Sequence, residues 1–131
     1  MYTIILTLDD KNAVSFAGKR QSKDAAVSQR ICDIMGEAPL YMREKSVSFF
    51  NDVRPNIQPI ENIEPCGVAF LEEVPSADII SNTDRIIVFR WNRNYPSLVT
   101  ERVNLDGWTK TVAEEFSGTS HNNITLEVYT K

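Results

Sequence analysis

The sequence predicts an α/β fold on a mostly parallel, mixed sheet with an antiparallel C-terminal strand. Three observations carry this. Apolar, partly β-branched runs (YTIILTL, CGVAFL, RIIVFRW) recur with irregular or helical segments between them. The segment around Val27, Ile31 and Ile34 repeats at helical spacing. Trp108 to Phe116 and Ile124 to Thr130 both alternate and are joined by the polar SGTSHNN, the pattern of two antiparallel strands. At 131 residues, the chain suits a single domain, residues 1–131.

In order along the chain, Tyr2 to Leu8 reads as a buried strand ended by Asp9 and Asp10. A loop, DKNAVSFAGKRQS, leads to a helix from Lys23 to Met35. Ser22 is its expected N-cap, Asp24 an acid in the first turn where the helix dipole favours it, and Gly36 its stop. PLYM reads as a short strand and EKSVSFFN as a short helix from Glu44. Asn51 to Pro65 contains Pro55, Pro59 and Pro65 with little periodicity and reads as loop. CGVAFL is a strand, EEVPSADIISNTD a loop or short helix, and RIIVFRW the strongest strand. NRNYPS breaks it, and LVTERVNL is partly extended. There is no internal repeat or linker.

Composition narrows the function classes. With 42% hydrophobic residues the chain can bury a core without disulfides or a structural metal. A net charge of -4 opposes nucleic-acid binding, which needs concentrated positive charge. The N-terminal apolar run is too short to cross a membrane and lacks the flanks of a signal peptide, so the expectation is a cytoplasmic protein without membrane contact. Cys32 and Cys66 have no Cys or His nearby, and His121 is the sole histidine, so no metal is expected and the thiols read as free and buried. FRWNRNY has the make-up of a base-stacking surface but reads better as a strand end, with Trp91 packed and the arginines exposed. His121 with Ser117, Ser120 and Glu114 reads as turn chemistry rather than a nucleophilic set.

These segments, in this order, resemble dihydrofolate reductases. MYTIILTLDDKNAV is similar to that family's first strand and the start of its mobile active-site loop, with Gly18–Lys19 where the loop turns. APLYMREKSVSFF is similar to the strand and helix start that carry a Met-Gly-Arg-x-Thr motif. TDRIIVFRWN is similar to the Asp-Arg-hydrophobic strand, and LDGWTKTVAEEF with ITLEVYTK to the closing segments. The resemblance implies an abbreviated dihydrofolate-reductase-like domain lacking most of the cofactor-binding lobe, which shrinks to Asn51–Pro65.

The departures fall on the site. The motif's glycine is Arg43, its arginine Glu44 and its threonine Ser46. A later glycine turn that would approach the pyrophosphate reads Leu71, Glu72 and Glu73, placing carboxylates where an anion would sit. On the substrate side, the family's carboxylate position falls on Asp24 with gaps and on Val27 without them. Its Trp is Ser22, its aromatic Ser28 and its later Thr Phe89. The expectation is a non-catalytic binding or interaction protein, not NADPH-dependent and with no cofactor. The alternative is an enzyme using a remnant pterin-type cleft, with Asp24 as proton donor to a small heteroaromatic substrate. Lys19, Arg20, Arg43 and Phe89 are the candidate ligand-binding residues, for a small heteroaromatic or anionic ligand. Loss of the lobe also predicts Leu40–Met42 at the sheet edge, with Leu40, Phe49, Phe50 and Ile57 forming a homodimer patch.

Overall fold

YTIILTL carries no charge on either face, and the fold buries it from Thr3 to Leu8. β1 (Tyr2–Leu8) lies between two parallel neighbours, β4 (Val68–Leu71) and β5 (Thr83–Arg90), and Ile4, Ile5, Leu6 and Leu8 are wholly buried. The computed structural model describes residues 1–50, 55–59 and 67–131. The remaining strands are β2 (Pro39–Met42), β3 (Asn56–Pro59), β6 (Thr109–Phe116) and β7 (Ile124–Thr130). The sheet order is β3-β2-β4-β1-β5-β7-β6. All pairings are parallel except β5 with β7 and β7 with β6, as the C-terminal alternation predicts.

Two apolar layers cover the sheet. On one face, helix α1 (Ala25–Met35) and a 3-10 helix (Glu44–Phe50) pack Val27, Ile31, Phe49 and Phe50 against Ile5, Phe70, Phe89 and Trp91. The Ser28 hydroxyl joins the two helices by donating to the Phe49 carbonyl at 2.8 Å. On the other face, Ile79 and Ile80 of the short α2 (Ala77–Ser81) cover Leu6, Ala69, Ile86 and their neighbours. No helix among the described residues is long and apolar enough to cross a membrane.

Three expectations change. α1 is capped by Asp24, not Ser22: Asp24 is extended (φ -149°, ψ 129°) and its carboxylate accepts from the Ala26 N–H, so it precedes the helix rather than riding in its first turn. Part of the expected loop is a strand, since β3 pairs along the whole of β2; residues 51–54 and 60–66, including Cys66, lie outside the described residues. β2 is therefore not the sheet edge. Leu40, Phe49 and Phe50 are at most 1% exposed and Ile57 packs against them, so the patch on which the homodimer expectation rested is core.

Phe70 sits at the centre of the first layer, wholly buried, with ring centroids 4.8 Å from Phe49 and 5.2 Å from Phe50. Phe70→Ala should cost about 3–5 kcal/mol in denaturant unfolding. A loss below about 1 kcal/mol would show that the aromatic layer is loosely packed.

Candidate functional site

The carboxylate of Asp24 accepts five hydrogen bonds, more than any other carboxylate among the described residues is shown to accept. It is 2% exposed and stands at the entry to α1. Oδ1 accepts from the N–H groups of Ala26 (2.8 Å) and Thr119 (2.9 Å). Oδ2 accepts from the N–H of Ser120 (2.8 Å), the Ser120 hydroxyl (3.1 Å) and His121 Nδ1 (2.9 Å). Burial pushes this carboxyl up. The Thr119 N–H, His121 and the Ser120 and Ala26 N–H groups outweigh it and hold Asp24 well below the usual carboxylate range. Its stabilising contribution is therefore complete above the ordinary carboxylate pKa and is lost only as pH falls through the depressed folded-state value.

His121 is fixed from three sides. Its Nδ1 faces Asp24, its Nε2 lies 2.9 Å from the Ser22 hydroxyl, and its ring stacks on Trp91 with centroids 4.7 Å apart. The turn carrying it closes tightly because residue 118 is glycine. A Cβ there would lie 2.7 Å from the His121 carbonyl oxygen and 2.8 Å from Asp24 Oδ2.

The loop before α1 is held equally firmly. Glu101, at the end of a 3-10 turn (Val99–Glu101), accepts from the N–H groups of Leu98 (3.0 Å), Gly18 (2.8 Å) and Ala17 (3.2 Å) and from the Ser15 hydroxyl (2.6 Å). The Leu98 N–H, the Ser15 hydroxyl and the Gly18 N–H lower its pKa to about 2, against a smaller opposing effect of burial. Ala17 and Gly18 turn the loop with φ of 49° and 76°.

The ends of the strands are closed by ion pairs. Arg20 grips Glu72 through both Nε and Nη2, the latter at 2.9 Å, and lies over the Phe49 ring at 5.6 Å. Arg43 pairs with Glu73. Two cavities flank these pairs. One, of about 300 Å³, is lined by Gly18, Lys19, Arg20, Lys45, Ser48 and Glu72. The other, of about 180 Å³, lies at the ends of β2 and β4, where Tyr41, Met42 and Leu71 meet Arg43, Glu73 and Val74.

The sequence-predicted residues thus separate. Lys19 and Arg20 share the first cavity and Arg43 lines the second. Phe89 is wholly buried edge-on to Phe116 and reaches no cavity without repacking the core. Asp24 is an ionised clamp with both oxygens occupied, which is the opposite of what a proton donor needs. Trp91 is 1% exposed and Arg90 is committed to Glu127 and Tyr129, so Trp91 is packed, as expected, and Arg90 is not the exposed arginine that was expected. Among the described residues no group of three or more His, Cys, Asp or Glu side chains could hold a metal ion. Sequence reasoning missed His121 as the partner of Asp24, Glu101 as the loop anchor, and Gly118. The one available signal was a lone histidine in a turn followed by a strand.

Gly118→Ala should destabilise the fold by about 1–3 kcal/mol, since the methyl group meets the His121 carbonyl and the fixed Asp24 carboxylate as well as the end of the Ile124 side chain, and only the last can swing away. A chemical-denaturation midpoint equal to that of the native protein would show that the turn is not held against Asp24.

No protein-family model and no curated protein matches this sequence. Among solved structures, the chain is similar to dihydrofolate reductase from Enterococcus faecalis complexed with NADP(H) and RAB-propyl. The TM-score is 0.63 and the identity 12%, and the match covers 99% of this chain and 95% of that one. The protein has a shortened dihydrofolate-reductase-like fold.

Proposed function

We propose that this protein binds a small heteroaromatic ligand on a dihydrofolate-reductase-like fold and carries out no NADPH-dependent reduction. The observation that carries the reading is the pair of ion pairs at the strand ends. In the fold's reductase form, as the resemblance implies, a glycine turn after this strand approaches the cofactor's pyrophosphate. Here Glu72 and Glu73 stand at that turn, and the nearby guanidinium groups, Arg20 and Arg43, are spent on them. A phosphate about 4 Å from the Glu72 carboxylate is opposed by up to about 4 kcal/mol, less what Arg20 cancels. Asp24 supports the same reading from the substrate side, being occupied by protein donors.

The 180 Å³ cavity is the ligand site in this reading. It lies below the 300–1,000 Å³ usual for drug-sized ligands, which limits it to one or two rings. Tyr41, Met42, Leu71 and Val74 supply the apolar walls, and the Arg43–Glu73 pair supplies a donor and an acceptor at the rim. It stands at the carboxyl ends of parallel strands, where open α/β sheets bind ligands. A second reading places a small anion in the larger cavity, favoured by Lys19 and Lys45 in its lining, where Arg20 already neutralises Glu72.

Calorimetry with NADPH should be silent, and a panel of one- and two-ring heteroaromatics followed by NMR should shift Tyr41, Met42 and Leu71. Val74→Trp should abolish those shifts. Micromolar NADPH binding would overturn the non-reductase reading, and shifts that survive Val74→Trp would remove the cavity from it.

A further inference from the structure

The geometry points to Ser22 as an activated nucleophile that accepts an acyl or phosphonyl group from an electrophilic donor. Ser22 and Asp24, two residues apart, and His121, nearly a hundred positions on, stand in one hydrogen-bonded line: Asp24 Oδ2 to His121 Nδ1 at 2.9 Å, and His121 Nε2 to Ser22 Oγ at 2.9 Å. That is the order of acid, base and hydroxyl through which a serine loses its proton as it attacks.

The protonation pattern follows from the acid. Asp24 is ionised, so its oxygens only accept, and the Nδ1 facing it carries the ring's hydrogen. In the neutral imidazole Nε2 is then the acceptor, and the Ser22 hydroxyl donates to it. The tautomer is the productive one without rearrangement. Stacking on Trp91 fixes the plane of the ring, and the two Asp24 oxygens are fixed by three backbone N–H groups. His121 is 6% exposed, whereas Ser22 is only half-buried, so the base is more shielded than the residue that carries the hydroxyl.

The step balances without any cofactor. With an aryl ester, Ser22 Oγ bonds to the carbonyl carbon and its proton passes to His121 Nε2. The carbon–oxygen bond to the aryl group breaks, and the leaving oxygen takes that proton from Nε2, returning the ring to its neutral form. The product is Ser22 acylated once per chain. A fluorophosphonate follows the same course with fluoride leaving. Ser22, His121 and Asp24 belong to the α1 side of the sheet, while the small cavity belongs to the α2 side, so the inference does not rest on the ligand reading.

The test is to incubate the native protein with a fluorophosphonate and, separately, with 4-nitrophenyl acetate, and to follow adduct mass and nitrophenolate release. The expected result is one adduct per chain, mapped to Ser22, and no adduct in Ser22→Ala, whose fold is checked by circular dichroism. His121→Gln should slow labelling about 100-fold or more, the scale of a positioned general base. Labelling no faster than that of the urea-unfolded chain would overturn the inference, as would undiminished labelling of Ser22→Ala. If His121→Gln fails to fold, the native-against-unfolded and native-against-Ser22→Ala comparisons decide the matter alone.

Discussion

One buried carboxylate holds the two ends of this chain together. Asp24 is at once the N-cap of α1 and the anchor of the turn before β7. An isolated charge cannot be buried, so the site exists only because three N–H groups, a hydroxyl and an imidazole converge on it. Hydrogen bonds to a charged group contribute about 1.5–3 kcal/mol, and removing one partner leaves the charge under-compensated, so the cluster acts as a unit. Everything around it follows. Gly118 is needed because no Cβ fits beside the carboxylate, and His121 is turned inward onto Trp91 because Asp24 claims its Nδ1.

The same economy recurs at other polar groups of the molecule. Glu101 ties down the loop around Gly18, Arg20 closes on Glu72, and Arg43 closes on Glu73. Each of these groups faces another part of the protein. The apolar side is treated likewise: Phe49, Phe50, Phe70, Phe89 and Trp91 fill the face beneath α1. A fold of this kind is recognisable at low identity because its strands depend on apolar burial, which tolerates wide substitution.

The legibility of the sequence divides along that line. β1, β4, β5 and the β6–β7 pair were readable because their own residues alternate or form continuous apolar runs. β3 was not. NIQP has no strand pattern, ends in proline, and is a strand because β2 pairs with it. The sequence places the start of α1 two residues early, at Ser22, because Ser22 and Asp24 are both good cap residues and Ser22 comes first. The choice was made by donors about 95 positions away, which no local rule can see. His121 failed for the same reason: in the sequence it sits beside Ser120, whereas its Nε2 partner is Ser22 and its stacking partner Trp91. Contacts made by one residue with a far segment leave no periodic trace, and the candidate site consists almost wholly of such contacts.

The hydrogen bonds to Asp24 keep it ionised where ordinary carboxylates titrate, and its side-chain carboxyl carbon reports this directly. In protein labelled with carbon-13 at aspartate, the Asp24 carboxyl resonance should hold its ionised shift from neutral pH down through the range where ordinary carboxylates titrate, moving only in strong acid or on unfolding. A resonance that titrates in the native state at or above the ordinary carboxylate pKa would contradict the account and return Asp24 to the role of a proton donor.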